Sequence, residues 1–264
     1  MKIPVPTKIK RHQQEGGHWY SPTGELVTQV PSADGKKLVT TTLRQARKLG
    51  LFPSVTTILK SISSYGLVNW QIENGIKTAY MNPPMKDETE DNWLDRIIEE
   101  SREITRHAAE RGTEIHAAIE KYLESGKLPK DDVLKASCQG VKGLLDGSKY
   151  EVETPFCSKR LGWAGRADIT TEHSVIDIKT VEMNKKSYSW PYFKHGLQLA
   201  AYAMGLNMHS ARLINIYVCR LSGTCKAIEW GIDTRYAPEE LKRAYGHLYE
   251  AWVIEKRFDP RKES

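Results

Sequence analysis

The apolar residues of this chain change their spacing near its middle, and that change limits what the chain can fold into. Leu94, Ile97, Ile98, Ser101, Ile104, Ala108, Gly112, Ile115, Ile119 and Tyr122 recur at mostly three- and four-residue steps. That spacing predicts one long helix with a single buried stripe. Downstream, "YEVETPFC", "WAGRADIT" and "SVIDIKT" are β-branched, aromatic or alternating, and read as three strands. "HGLQLAAYAMGL" returns to helix, with Leu197, Ala200, Ala201 and Met204 inward. "ARLINIYVCRL" and "TCKAIEWGI" read as two more strands, and a helix from about Pro238 to Lys256 closes the chain. Helices, three strands, helix, two strands, helix is the order of a mixed α/β fold around one sheet.

Upstream, "SPTGE" and "SADGKK" are turn signals between short β-prone runs, consistent with one or two hairpins. "TTLRQARKLG" reads as a short helix between a Thr cap and Gly50, and "FPSVTTILKSI" as another behind Ser54. The polar, proline-bearing stretch 81–92 reads as an exposed connection. A helix from Asp131 to about Leu145 is weakened by Gly140 and Gly143. We divide the chain into a basic arm at 1–50, a helical region at 51–130, and a sheet-bearing core at 131–264 that is compact with the helical region. Residues 1–60 carry a net charge of +7 and the remainder −1. A basic segment on a near-neutral body suits an acidic partner such as nucleic acid, or is simply a solvated tail. The N-terminus has no apolar stretch of the kind a secretory signal needs. No run approaches the roughly 20 apolar residues of a membrane span. The four cysteines lack C-x-x-C spacing, which argues for reduced thiols in a cytoplasmic protein.

The strand "SVIDIKT" carries the chemistry. Alternate strand residues share a face, so Ile176 and Ile178 point to a core while Asp177 and Lys179 share the other side. If "GRADITTEHSVIDIK" is a hairpin turning at Glu172–His173, Asp168 stands opposite Asp177. Directly opposed residues have Cβ atoms about 4.5–5.5 Å apart. Two carboxylates so close repel unless one is protonated or a cation lies between them, and a hard divalent cation takes carboxylate oxygens. Lys179 cannot be a ligand, but it can hold a phosphate or favour a hydroxide; a salt-bridged surface hairpin would also explain the pair. In "QLAAY", Gln198 and Tyr202 fall on one helix face, able to donate to phosphate oxygens or to form a half-buried polar pair. In "RGTEIHAAIE", Gly112 inside a helix costs roughly 1 kcal/mol relative to Ala, which close approach to another element or to DNA would justify. His116 borders the Ile115/Ile119 stripe and can face the sheet, as a ligand or as a core histidine.

Taken in order, "GxxxH", "GxxD", "DxK" and "QxxxY" resemble the RecB-type branch of the PD-(D/E)xK nuclease superfamily. "FPSVTTIL" and "LVNW" also resemble phage exonucleases and the mitochondrial genome maintenance exonuclease family; the resemblance spans roughly residues 52–255. It implies a restriction-endonuclease-like mixed central sheet flanked by helices. It implies a metal-dependent deoxyribonuclease with Mg²⁺ or Mn²⁺ held by His116, Asp168, Asp177 and the carbonyl of Ile178. Asp168, Asp177 and Lys179 become catalytic, and Gln198 and Tyr202 contact the DNA backbone. Glu153 matches an acidic position in the mitochondrial relatives, with its role open. Relatives with an iron–sulfur cluster carry one cysteine upstream and three near the C-terminus; the spacing here differs, so no cluster is expected. The expectation is an exonuclease acting on single-stranded DNA ends in the cytoplasm of a bacterial or phage-infected cell. The alternatives are an endonuclease on the same fold and a DNA-binding subunit with a silent site.

Overall fold

The structure, a computed structural model, describes residues 17–32, 34–62, 65–183 and 191–262, with the backbone alone for 65–67. The first elements are β1 (Trp19–Tyr20), β2 (Gln29–Pro31), β3 (Leu38–Thr40), α1 (Leu43–Lys48), β4 (Phe52–Pro53) and α2 (Val55–Leu59). β2 and β3 form the expected hairpin, while β1 pairs antiparallel with β4. Thr42 caps α1: its hydroxyl accepts from the Gln45 N–H, and the Gln45 side chain accepts from the Thr42 N–H at 2.9 Å. Ser54 Oγ caps α2 by accepting from the Thr57 N–H at 2.9 Å. Trp19, Ala46, Val55 and Ile58 join Tyr245, Tyr249, Trp252 and Phe258 in one hydrophobic cluster. The described part of the basic N-terminal segment is therefore built into the body. Residues 1–16, which hold Lys2, Lys8, Lys10 and Arg11, lie outside the described residues.

α3 (Tyr65–Met81) and α4 (Glu90–Ser125) follow. At 1.5 Å per residue, the 36 residues of α4 span about 54 Å. The longest strands it crosses, of nine residues, span about 30 Å. Only part of α4 can therefore lie on the sheet. Gly112, Ile115, Ile119 and Leu123 are buried, but Leu94, Ile98 and Ile104 are exposed. The stripe expected to be buried throughout is core from Gly112 onward, with Ile97 its one buried isoleucine further out. The outer half of α4 packs on α3, where Trp93 Nε1 donates to the Asn82 carbonyl at 2.8 Å.

α5 (Asp132–Leu144) starts at Asp131, whose carboxylate accepts from the Leu134 N–H at 2.8 Å. Then come β5 (Tyr150–Ser158), β6 (Trp163–Thr171), β7 (Ser174–Val181), α6 (Phe193–Gly205), β8 (Arg212–Cys219), β9 (Cys225–Glu229) and α7 (Pro238–Lys256). The sheet order is β5-β6-β7-β8-β9. β7 and β8 are parallel and the other neighbours antiparallel. A parallel pair needs a crossover, and α6 supplies it. On one face, Ile169, Ile176, Ile178 and Ile216 pack with Ile115 and Ile119 of α4 and Val141 of α5. Each buried isoleucine contributes about 1.5–3 kcal/mol. On the other face, Ala167, Val175 and Leu213 pack with Leu197 and Ala201 of α6 and Tyr245 of α7. Gly140 lies where a Cβ would stand 2.7 Å from Cys225 Sγ, which accounts for that glycine within α5. Among the described residues no helix is long and apolar enough to cross a membrane.

Candidate active site

β6 and β7 are paired only at Ile169↔Ile176 and Thr170↔Val175. This is the register that sets Asp168 opposite Asp177, but the ladder stops one residue short of them. Asp168 Oδ2 instead accepts from the Ile178 N–H at 2.7 Å. The carboxylate thus fills the gap and satisfies a backbone donor that the broken ladder would leave orphaned. The other edge of β6 is also broken at this residue. β5 pairs with it at Val152↔Ile169 and Thr154↔Ala167, while Glu153 between them adopts φ +51°. A left-handed backbone costs a non-glycine residue roughly 1–2 kcal/mol, and such strain clusters at functional sites. Asp168 is therefore freed of ladder pairing on both sides.

Asp177 is 1% exposed. Lys179 Nζ lies 2.9 Å from its Oδ1 and 2.7 Å from its Oδ2. Asn215, its partner in the parallel register with β8, donates to Oδ2 at 2.8 Å and to the Asp177 carbonyl at 3.2 Å. Trp230 Nε1 donates to Asn215 Oδ1 at 2.8 Å, so the amide is spent at both ends. From α4, His116 Nδ1 stands 3.7 Å from Asp168 Oδ2. His116, Glu120, Glu153, Asp168 and Ile178 line one small pocket, and Glu153 is paired with Arg166 at 3.0 Å.

Burial, and then the charge of Asp177, push the Asp168 carboxyl well above the usual carboxylate range. Burial lowers the His116 pKa; the Asp177 charge opposes this and Lys179 adds to it. The imidazole is thus biased to its neutral form, which can ligate a metal. Burial raises Glu153 despite Arg166, with the charges of Glu120 and Glu124 adding to the rise.

Gln198 and Tyr202 share a face of α6, as their spacing requires, and Gln198 Nε2 donates to Tyr202 Oη at 2.8 Å. They are 8% and 5% exposed, so the pair is more deeply buried than expected for groups meeting a DNA backbone. Tyr202 packs edge-on to Phe156 and against Gly165, where a Cβ would lie 2.9 Å from its ring. Burial, then the charges of Asp177 and Asp168, hold its phenol well above the usual range. Gly112 lets α4 bear directly on β7: a Cβ there would stand 2.8 Å from Thr180 Oγ1. Two features escaped the sequence reading. One is Asn215, a lone amide inside the apolar run "LINIYV", which is itself a detectable signal. The other is His195 Nδ1 sharing a hydrogen bond with Tyr217 Oη at 2.8 Å, on the strand position paired with Lys179.

Among the described residues, no three His, Cys, Asp or Glu side chains are gathered closely enough to hold a metal ion. His116 and Asp168 face each other, while Asp177 is engaged by Lys179 and Asn215. No family model matches the chain, and no curated protein matches it. Among solved structures, the chain is similar to the one titled "Crystal structure of SSO0001", at 21% identity and a TM-score of 0.30. That match covers 46% of this chain and 59% of the other.

Proposed function

We propose that this chain is a metal-dependent deoxyribonuclease that hydrolyses phosphodiester bonds at DNA ends, single strands foremost, in replication, recombination or repair. We read its mixed sheet as the core of a restriction-endonuclease-like, PD-(D/E)xK fold. The observation that carries this reading is the gap in the β6–β7 ladder. It sets Asp168 beside Asp177, with Lys179 two residues on and a neutral-biased His116 across from them. By type, two carboxylates, an imidazole nitrogen and the Ile178 carbonyl suit a hard or borderline divalent cation such as Mg²⁺ or Mn²⁺. The raised Asp168 carboxyl fits the same group, since a cation beside it would offset the burial that chiefly raises it and the Asp177 charge that adds to the rise. Such an ion supplies a water of lowered pKa and neutralises charge on the phosphate. Asp177 would be the second carboxylate toward such an ion, and Lys179, which now ends on Asp177, would supply positive charge at the attacking oxygen. Asn215 keeps the Asp177 carboxylate oriented throughout.

The test is release of nucleotide from end-labelled linear single-stranded DNA in Mg²⁺ or Mn²⁺. The wild type is expected to degrade it, while chelator or Asp177→Ala abolishes the activity with the fold retained by circular dichroism. Failure to cut single-stranded, duplex and circular DNA in both metals overturns the reading and leaves a silent DNA-binding fold. Internal cuts alone favour the endonuclease.

A further inference from the structure

The amphipathic pattern of α3 is reversed. A helix on a globular body normally turns its apolar stripe to the core. The side of α3 that faces α4 is instead polar or small. Thr78 is buried there, and its hydroxyl donates back to the Asn74 carbonyl at 2.8 Å. Asn74 Nδ2 is buried with no hydrogen-bond partner among the described residues. Gly75 also faces α4, where a Cβ would stand 4.0 Å from Ser101 Oγ. The apolar residues of α3 point outward: Val68, Ile72, Ile76 and Tyr80 are 43–87% exposed. At four-residue steps they form one continuous row along the helix.

Charge and symmetry narrow what can cover this row. Residues 65–111 hold six Lys or Arg and ten Asp or Glu, a net −4. A nucleic-acid backbone laid along the row would be repelled, which leaves a protein surface. The row reads the same in both directions about residue 74, so a second copy of α3 running antiparallel meets it with its own row. That pairing sets Ile72 against Ile76, and Val68, the smallest side chain of the row, against Tyr80, the largest. On its flank, Glu73 and Lys77 are largely exposed and 3.8 Å apart within one helix. The same pairing brings Glu73 within reach of Lys77 of the second copy. A parallel pair would set Glu73 against Glu73 and Tyr80 against Tyr80. Scaled by their exposure, the four apolar side chains offer on the order of 500 Å² in each copy. Two copies would then cover about 1,000 Å², the size at which specific interfaces begin.

We propose that α3 docks antiparallel on α3 of a second copy of this chain, through Val68, Ile72, Ile76 and Tyr80, with a two-fold axis near residue 74. The acidic residues of α4 stay peripheral to this contact, because the exposed charges of α3 itself, Glu73 and Lys77, cancel. The dimer does not rest on the nuclease reading.

The experiment is sedimentation of the full chain over a range of about 1–200 μM, which brackets a weak specific contact. The wild type should rise from 30.0 kDa toward twice that mass, with a dissociation constant on the order of 10 μM, in keeping with an interface at the lower size limit. Ile72→Gln/Ile76→Gln changes two exposed positions. It should keep the fold by circular dichroism and weaken association at least about tenfold. Glu73→Lys should weaken it about fivefold, and Glu73→Lys/Lys77→Glu should recover it, since the swap restores opposite charges across the contact. A wild type that stays at 30.0 kDa throughout overturns the proposal. A dimer whose mass is unmoved by the two glutamines uses another surface and overturns it as well. So does a monomeric wild type whose affinity for an oligodeoxythymidylate falls in the glutamine variant, which assigns the row to nucleic acid. Cleavage is measured separately, so failure of the nuclease reading leaves the dimer standing.

Discussion

Asp177 has both carboxylate oxygens engaged inside the protein, and Asn215 is the partner that cannot be replaced by solvent. Asn215→Leu keeps the branched outline of the side chain but leaves Trp230 Nε1 without an acceptor, while Asp177 Oδ2 keeps only Lys179. The buried indole N–H so orphaned costs about 1–3 kcal/mol. The variant is expected to unfold at clearly lower urea, and a wild-type midpoint would refute the bridge. His195 gives a pH signature. Its folded pKa, about 3, lies below the ordinary 6.5, so the unfolded chain takes up its proton first. Stability from this group is complete above pH 6.5 and is lost as pH falls toward 3, by at most about 5 kcal/mol over the whole range. Between pH 6.5 and 5, before most carboxylates protonate, His195→Gln should lose less stability than the wild type; equal slopes in thermal melts would refute the assignment. Asp177 and Lys179 are legible in sequence because a two-residue period assigns faces. Asn215 stands out as a lone amide in an apolar run, but its pairing with Asp177 is not legible, because that register is set across a parallel crossover from 38 positions away.

Among elements, the α4–β7 contact is the tightest constraint on the site. Ala exceeds Gly in helix propensity by roughly 1 kcal/mol, so Gly112→Ala would stabilise an isolated helix. Here the new methyl meets Thr180 Oγ1 at 2.8 Å, and the Thr180 side chain, the helix or the strand must shift. The single variant should therefore be destabilised, and Gly112→Ala/Thr180→Ala should recover most of the loss in a double-mutant cycle. Additive effects would show that the two residues do not meet. Most elements are readable from pattern: α7 occupies its expected range, Thr42 and Ser54 cap as expected, and the hairpin turns at Glu172–His173. Two things are not. The exposed outer half of α4 carries the same apolar spacing as its inner half, and spacing cannot say where the sheet beneath a helix ends. The early end of the β6–β7 ladder has a local cause, the diversion of the Ile178 N–H to a side chain, which leaves no trace in hydrophobic period.

At the scale of the molecule, α3 and the outer half of α4 extend past the part of α4 that rests on the sheet. They present Val68, Ile72, Ile76 and Tyr80 to solvent. If this helical pair gates a strand on its way to Asp168 and Asp177, the enzyme requires a free end. Linear single-stranded DNA should then be degraded while a covalently closed circle resists, and bulky adducts at both ends should protect the linear form. Equal rates on circle and linear strand would remove the gate and leave an endonuclease. The continuity of α4 has a mechanical side as well. About 33 Å of helix lies outward of Gly112 and about 6 Å separates Gly112 from His116. With its fulcrum where Gly112 bears on Thr180, the rod is a lever of roughly five-to-one mechanical advantage. If the rod pivots there, a swing of several ångströms at its outer end reaches the His116 imidazole as about one ångström, enough to bring it toward Asp168 or draw it away.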